Sequence, residues 1–111
     1  NLVSGWEMRL IEAEAKLVSG DIAGAMAIIN VRRSALNVPL VTATTPDAAW
    51  TALKRERGIE LWLEARRMGD LRRWKAANRP GSYDPREDIA NRDLCFPVSL
   101  QEKQTNPNLR P

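Results

Sequence analysis

Histidine is absent from the 111 residues, and cysteine occurs once. Without histidine the chain lacks the commonest general base, the usual zinc ligand and the side chain that changes charge near neutral pH. Hydrolysis by a Ser–His or Cys–His device is therefore excluded. A single cysteine, Cys95, rules out an internal disulfide and any multi-cysteine metal site. Placed between Leu94 and Phe96, it reads as a small buried apolar residue. Long apolar runs are missing as well: no stretch reaches the roughly 18 residues that a membrane-spanning helix needs. The opening NLVSGWEMRLIEAEA has no basic n-region and no cleavage site, so it does not read as a signal peptide. It reads as the start of a helix with no initiator methionine ahead of it, so a fragment or processed chain is expected.

What the chain does have is charge, concentrated in one place. Seventeen Lys and Arg stand against fourteen Asp and Glu, a net +3. The stretch from Lys54 to Lys75 holds eight cations (Lys54, Arg55, Arg57, Arg66, Arg67, Arg72, Arg73, Lys75) and four anions (Glu56, Glu60, Glu64, Asp70). That local excess of about +4 leaves the remainder close to neutral. A phosphate-binding stripe should be mostly uncompensated, whereas here acids sit among the arginines at three- and four-residue spacing. Arginine predominates over lysine, as suits planar bidentate pairing with carboxylates. An internal ion-pair network is the expectation, and no nucleic-acid partner is expected. The same arginines keep Glu56 and Glu60 ionised, which unsuits either as a general acid.

Hydrophobic periodicity predicts an all-α fold: a tetratricopeptide-like helical hairpin, a long third helix and an irregular, ordered C-terminal tail. The length allows one domain, residues 1–111, with a helical part over 1–77 and the tail over 78–111. Trp6, Leu10, Ile11, Ala13, Leu17 and Val18 give helix one over Gly5–Val18, ended by Ser19-Gly20. Asp21 is the expected N-cap of helix two, about Ile22–Ser34, where Ile22, Ala25, Met26 and Ile29, with Ala23 and Ala27, are expected to offer a small-residue face for close helix approach. Thr45-Pro46-Asp47 reads as an N-cap followed by proline at the first helical position. Helix three is expected over Pro46–Arg67, with Trp50, Leu53, Leu61 and Ala65 in one apolar line widened by Ile59, Trp62 and Leu63. Gly69 is expected to interrupt it, and Asp70 to cap a short fourth helix, Leu71–Ala76. In the tail, Leu94–Val98 is an apolar patch expected to dock on the helices, and Ser99 and Glu102 form a capping box.

Four tryptophans, Trp6, Trp50, Trp62 and Trp74, offer aromatic faces on which a pyranose stacks. Trp50 and Trp74 lie on apolar lines and read as core; Trp62 is the least committed of the four.

Three blocks, in order, resemble the C-terminal part of SusD/RagB-type outer-membrane nutrient-binding lipoproteins. The first is EMRLIEAEAKLVSGDIAGAMAIINVRRSALNVP, Glu7–Pro39, similar to the family's helical hairpin. The second is RERGIELWLEARRMGDLRRW, Arg55–Trp74, similar to R-E-R-R-x-E-L-x-x-E-G-x-R-x-x-D-L-R-R-W. The third is LCFPVSLQEKQTNPNLRP, Leu94–Pro111, similar to the family's terminal element ending in N-P-N-L. Gly58 stands where an arginine is usual, Ala65 where a glycine is usual, Val98 for isoleucine and Lys103 for an apolar residue.

The resemblance implies a tetratricopeptide-like scaffold in a non-enzymatic protein that needs no cofactor and no catalytic metal. It implies location at the outer-membrane surface through a lipid anchor absent from this chain. The implied partners are a SusC-type TonB-dependent transporter and a glycan or peptide nutrient. No ligand contacts are carried over, so the ligand-binding residues are unknown. Arg55, Glu56, Arg57, Glu60, Glu64, Arg66, Asp70 and Arg73 are expected to form a structural ion-pair network. The competing expectation is a tetratricopeptide-like adaptor that binds a protein partner and no sugar.

Overall fold

The computed structural model describes residues 4–83 and 98–109, and these are helical, with no strand among them. Five α-helices follow one another: α1 (Gly5–Val18), α2 (Ile22–Ala35), α3 (Pro46–Glu60), α4 (Arg67–Ala76) and α5 (Leu100–Thr105). A single 3-10 turn, Pro107–Leu109, closes the described chain.

The helix starts are local chemistry. Ser4, Asp21, Thr45 and Ser99 each accept a hydrogen bond from the backbone N–H three residues on, at 3.0, 2.8, 3.3 and 3.1 Å. Each thereby satisfies an amide that has no partner inside its helix. The helix ends share one device. Gly20, Asn37 and Asn78 take positive φ (84°, 53° and 48°) just past α1, α2 and α4. In each case the next residue's N–H reaches back five residues: Asp21 to Lys16, Val38 to Arg33 and Arg79 to Trp74. This is the Schellman closure, and glycine and asparagine are the residues that enter that region at least cost.

Helices α1, α2 and α3 pack around one core. Leu10, Ala13, Leu17, Ala25, Met26, Ile29, Ala49, Trp50, Leu53, Leu71 and Trp74 are all buried in it. The small buried residue of α2 is Ala25, whereas Ala23 and Ala27 are exposed, contrary to expectation. Asn30 of α2 holds the loop to α3 by treating Val41 as a strand partner, donating to its carbonyl and accepting from its N–H, both at 2.9 Å.

The third helix is shorter than its periodicity predicts. It stops at Glu60, and the chain turns over Leu61–Ala65 before α4 begins at Arg67. Leu63 and Ala65 adopt φ of 66° and 55°, which no helix continues through. Gly69 does not interrupt anything: it lies inside α4, and Asp70 is a buried residue of α4 rather than its cap. Of the apolar line expected on helix three, Trp50, Leu53 and Leu61 are buried. Ile59, Trp62, Leu63 and Ala65 are exposed instead, because the turn carries the last three away from the core. The apolar patch around Cys95 lies outside the described residues except for Val98, which is exposed.

Candidate functional site

The charge cluster folds into a set of contacts between elements rather than a ladder along one helix. Arg57 of α3 donates from Nε and Nη2 to the two carboxylate oxygens of Asp70 in α4, at 2.7 and 3.0 Å. Both side chains are buried. Arg73 also donates to Asp70 Oδ1, from Nε at 3.1 Å and Nη2 at 3.0 Å. It then bridges to α1, where Nη2 meets Glu14 Oε2 at 2.6 Å and Nη1 contacts Oε1. The Trp74 indole N–H completes the cluster by donating to Glu14 Oε1 at 2.9 Å. The Glu14 hydrogen bond above all holds the Arg73 guanidinium protonated beyond its ordinary range, against the opposing effect of burial.

A second group ties α2 to α3. Arg32 forks onto Glu60 with two bonds of 3.1 Å, and its guanidinium covers the Trp6 ring at 4.7 Å. Arg33 donates to Glu56 Oε1 and to the Pro39 carbonyl, both at 2.6 Å. Arg66 approaches Glu7 Oε1 at 3.7 Å. Arg55 and Glu64 are exposed and form no ion pair among the described residues.

Of the eight expected network residues, the fold thus joins Arg57, Asp70 and Arg73 to one another. It sends Glu56, Glu60 and Arg66 to partners on other helices, and leaves Arg55 and Glu64 in solvent. The partners that sequence reasoning missed are Glu7, Glu14, Arg32 and Arg33. For two of them a signal exists: Glu7 and Glu14 share the face of Leu10 and Leu17 and are buried with them. A carboxylate repeating on an apolar line must meet a cation from elsewhere.

Lys54 was also missed, and among the described residues it is the most enclosed charge, 1% exposed. Its ammonium donates to the Gly81 carbonyl at 2.9 Å and to that of Arg79 at 3.4 Å, with the Tyr83 ring 3.8 Å away. Burial, then the nearby Arg67 charge, pushes its pKa down to about 8, with Asp47 opposing. Burial likewise raises the Tyr83 phenol. The segment over Lys54 is pinned by two further bonds, Gly81 N–H to Asp47 Oδ1 at 3.1 Å and Ser82 N–H to Thr51 Oγ1 at 2.8 Å. Gly81 is required there: its φ is 85°, and a Cβ would stand 2.7 Å from the Thr51 nitrogen.

Two clefts flank these clusters. One, with only about 20 Å³ of space, lies among Trp6, Leu10, Ile29, Arg32 and Glu60. The other, of about 220 Å³, is lined by Arg57, Gly58, Leu61, Trp62, Leu63, Ala65 and Arg67. Gly58 leaves room for Arg67 to lie across α3 and donate to the Lys54 carbonyl at 2.9 Å, since a Cβ there would stand 3.3 Å from the guanidinium carbon. Among the described residues no group of His, Cys, Asp or Glu is arranged to hold a metal, and no helix is long and apolar enough to cross a membrane.

Fold and site together define an all-α protein whose acidic and basic side chains cross-link its helices. The model of the SusD family matches residues 7–108, nearly the whole chain, and the protein belongs to that family. No curated protein and no solved structure matches it.

Proposed function

We propose that this chain is the helical scaffold of a non-enzymatic nutrient-uptake protein at the outer-membrane surface, lipid-anchored and working with a SusC-type TonB-dependent transporter. Glycan is the nutrient this reading favours. The observation that carries it is family membership over residues 7–108. The side-chain geometry is in keeping with a scaffold. The carboxylates of the charged motif that are buried or half-buried, Glu56, Glu60 and Asp70, each accept from an arginine. A carboxylate paired in that way ties one helix to another, so these groups serve rigidity.

The test is co-purification. A tagged protein expressed in its own cells should bring down an outer-membrane β-barrel transporter and bind a glycan in a calorimetric screen. Recovery without any barrel, together with no glycan binding, would overturn the reading.

A further inference from the structure

Three polar side chains of α3, Asp47, Thr51 and Lys54, follow one another at helical spacing, which puts them on one face of the helix. All three hold the backbone of residues 79–83 where it crosses α3. Asp47 Oδ1 and Thr51 Oγ1 accept from the N–H groups of Gly81 and Ser82, and the Lys54 ammonium donates to the carbonyls of Gly81 and Arg79. Each of these bonds joins backbone to side chain. None belongs to a helix, so all can break with the helices intact.

The segment lies at the surface, and a charge lies beneath it. Pro80 and Ser82 are exposed, Arg79, Gly81 and Tyr83 are half-buried, and Lys54 is almost wholly enclosed. The charged and titratable groups around Lys54 are Asp47 on its own helix, Arg67 and Arg73 of α4 about the shared Trp74 ring, and Arg79 and Tyr83 of the segment. Glu14 of α1 holds Arg73. Burial and Arg67 act against the ammonium, and Asp47 acts for it. Closing the segment withdraws that ammonium from water in exchange for a few hydrogen bonds and the packing of Tyr83 against the core. Opening it returns the ammonium to water and leaves the helices packed. A surface segment with so few apolar contacts opens at a lower free energy than the helices beneath it.

We propose that residues 79–83 are a strap that opens and shuts over Lys54 as one unit while the helices stay packed, and shuts more tightly when the Lys54 amine is uncharged. An uncharged amine still has an N–H for each of the two carbonyls, so the bonds survive while the cost of enclosing a charge disappears. Opening bares a primary amine that is otherwise out of reach of solvent.

The experiment is amide hydrogen exchange, followed by NMR in low concentrations of urea. Gly81 and Ser82 should exchange together, faster than core amides such as those of Ala13 and Leu53. Their exchange should also depend less on urea, because opening the strap exposes little surface. Equal protection and equal urea dependence in the two sets would mean that the strap opens only on global unfolding, and would overturn the proposal. Thr51→Val removes the acceptor for Ser82; it should lower protection at both Gly81 and Ser82 several-fold and leave the helix amides unchanged. A loss at Ser82 alone would overturn the single unit. Between about pH 6.5 and 8.5 the protection of Gly81, corrected for the intrinsic rate, should rise about fourfold, since the closed Lys54 titrates near 8 and the open one near 10.5. Lys54→Met should abolish that rise. Protection independent of pH in the parent, or a rise that survives the substitution, would overturn the role of the amine.

Discussion

The indole N–H of Trp74 donates to Glu14 Oε1 at 2.9 Å across 60 residues of sequence, joining the end of the charged motif to the first helix. The bond explains why a carboxylate lies on α1's buried face. Glu14 stands between the Trp74 N–H and the Arg73 guanidinium, and it is the one group that satisfies both.

Glu14→Ala should therefore cost about 1–3 kcal/mol, the penalty for stranding a buried donor. Glu14→Gln keeps an acceptor for the indole and should cost less. Urea denaturation of both variants checks the order, and equal losses would show that the indole bond contributes nothing.

Asp70→Ala should be the most damaging change in the charged motif, because it leaves the buried Arg57 guanidinium unpaired, at roughly 3–5 kcal/mol. Replacing both partners by apolar residues, Arg57→Met with Asp70→Leu, should recover most of the loss. Glu60→Ala should cost less, since Arg32 is part-exposed and can turn to water. Arg55→Ala and Glu64→Ala should stay within about 0.5 kcal/mol of the parent. A flat series across all of these would overturn the structural-network proposal.

Ala65→Gly should stabilise the protein by about 0.5–1 kcal/mol. Ala65 is held at φ 55°, where a Cβ costs roughly 1–2 kcal/mol, and glycine's looser unfolded state offsets part of the gain. Glycine is also the usual residue at this place in the motif the chain resembles. Thermal melts of the variant decide it, and a lower melting temperature would contradict the left-handed turn.

Stability should rise with pH between about 8 and 9.5. The folded Lys54 titrates near 8 and the unfolded one near 10.5, so the unfolded chain binds more protons in that window. Tyr83, raised above its ordinary 10, pulls the other way only at higher pH. Lys54→Met should flatten the slope, as read from chemical denaturation at a series of pH values. A slope unchanged by the substitution would remove Lys54 as its source.

The starts of α2, α3 and α5 were legible because a cap is a contact three residues long: Asp21, Thr45 and Ser99 act on amides that the sequence places beside them. The core was legible for the same reason, since Leu10, Leu17, Trp50, Leu53 and Trp74 repeat at the helical period. The turn at Leu61–Ala65 was not. Its residues continue an apolar helical pattern, and only docking α4 back onto α3 through Arg57 and Asp70 makes the break worth its two left-handed residues.

By itself, then, the sequence determined the all-α class, the N-caps of α2, α3 and α5, the buried line of Leu10, Ala13 and Leu17 in α1 and the excess of arginine over lysine in one motif. These depend on spacing and on bonds within a turn of helix. The tertiary structure alone decided which acid meets which base. Glu56 and Glu60 face arginines of α2 rather than of their own helix, Asp70 moves from cap to core, and Lys54 is closed over by Gly81 and Tyr83. Charge is attracted to opposite charge without regard to distance along the chain, so its partners are settled only when the helices have packed.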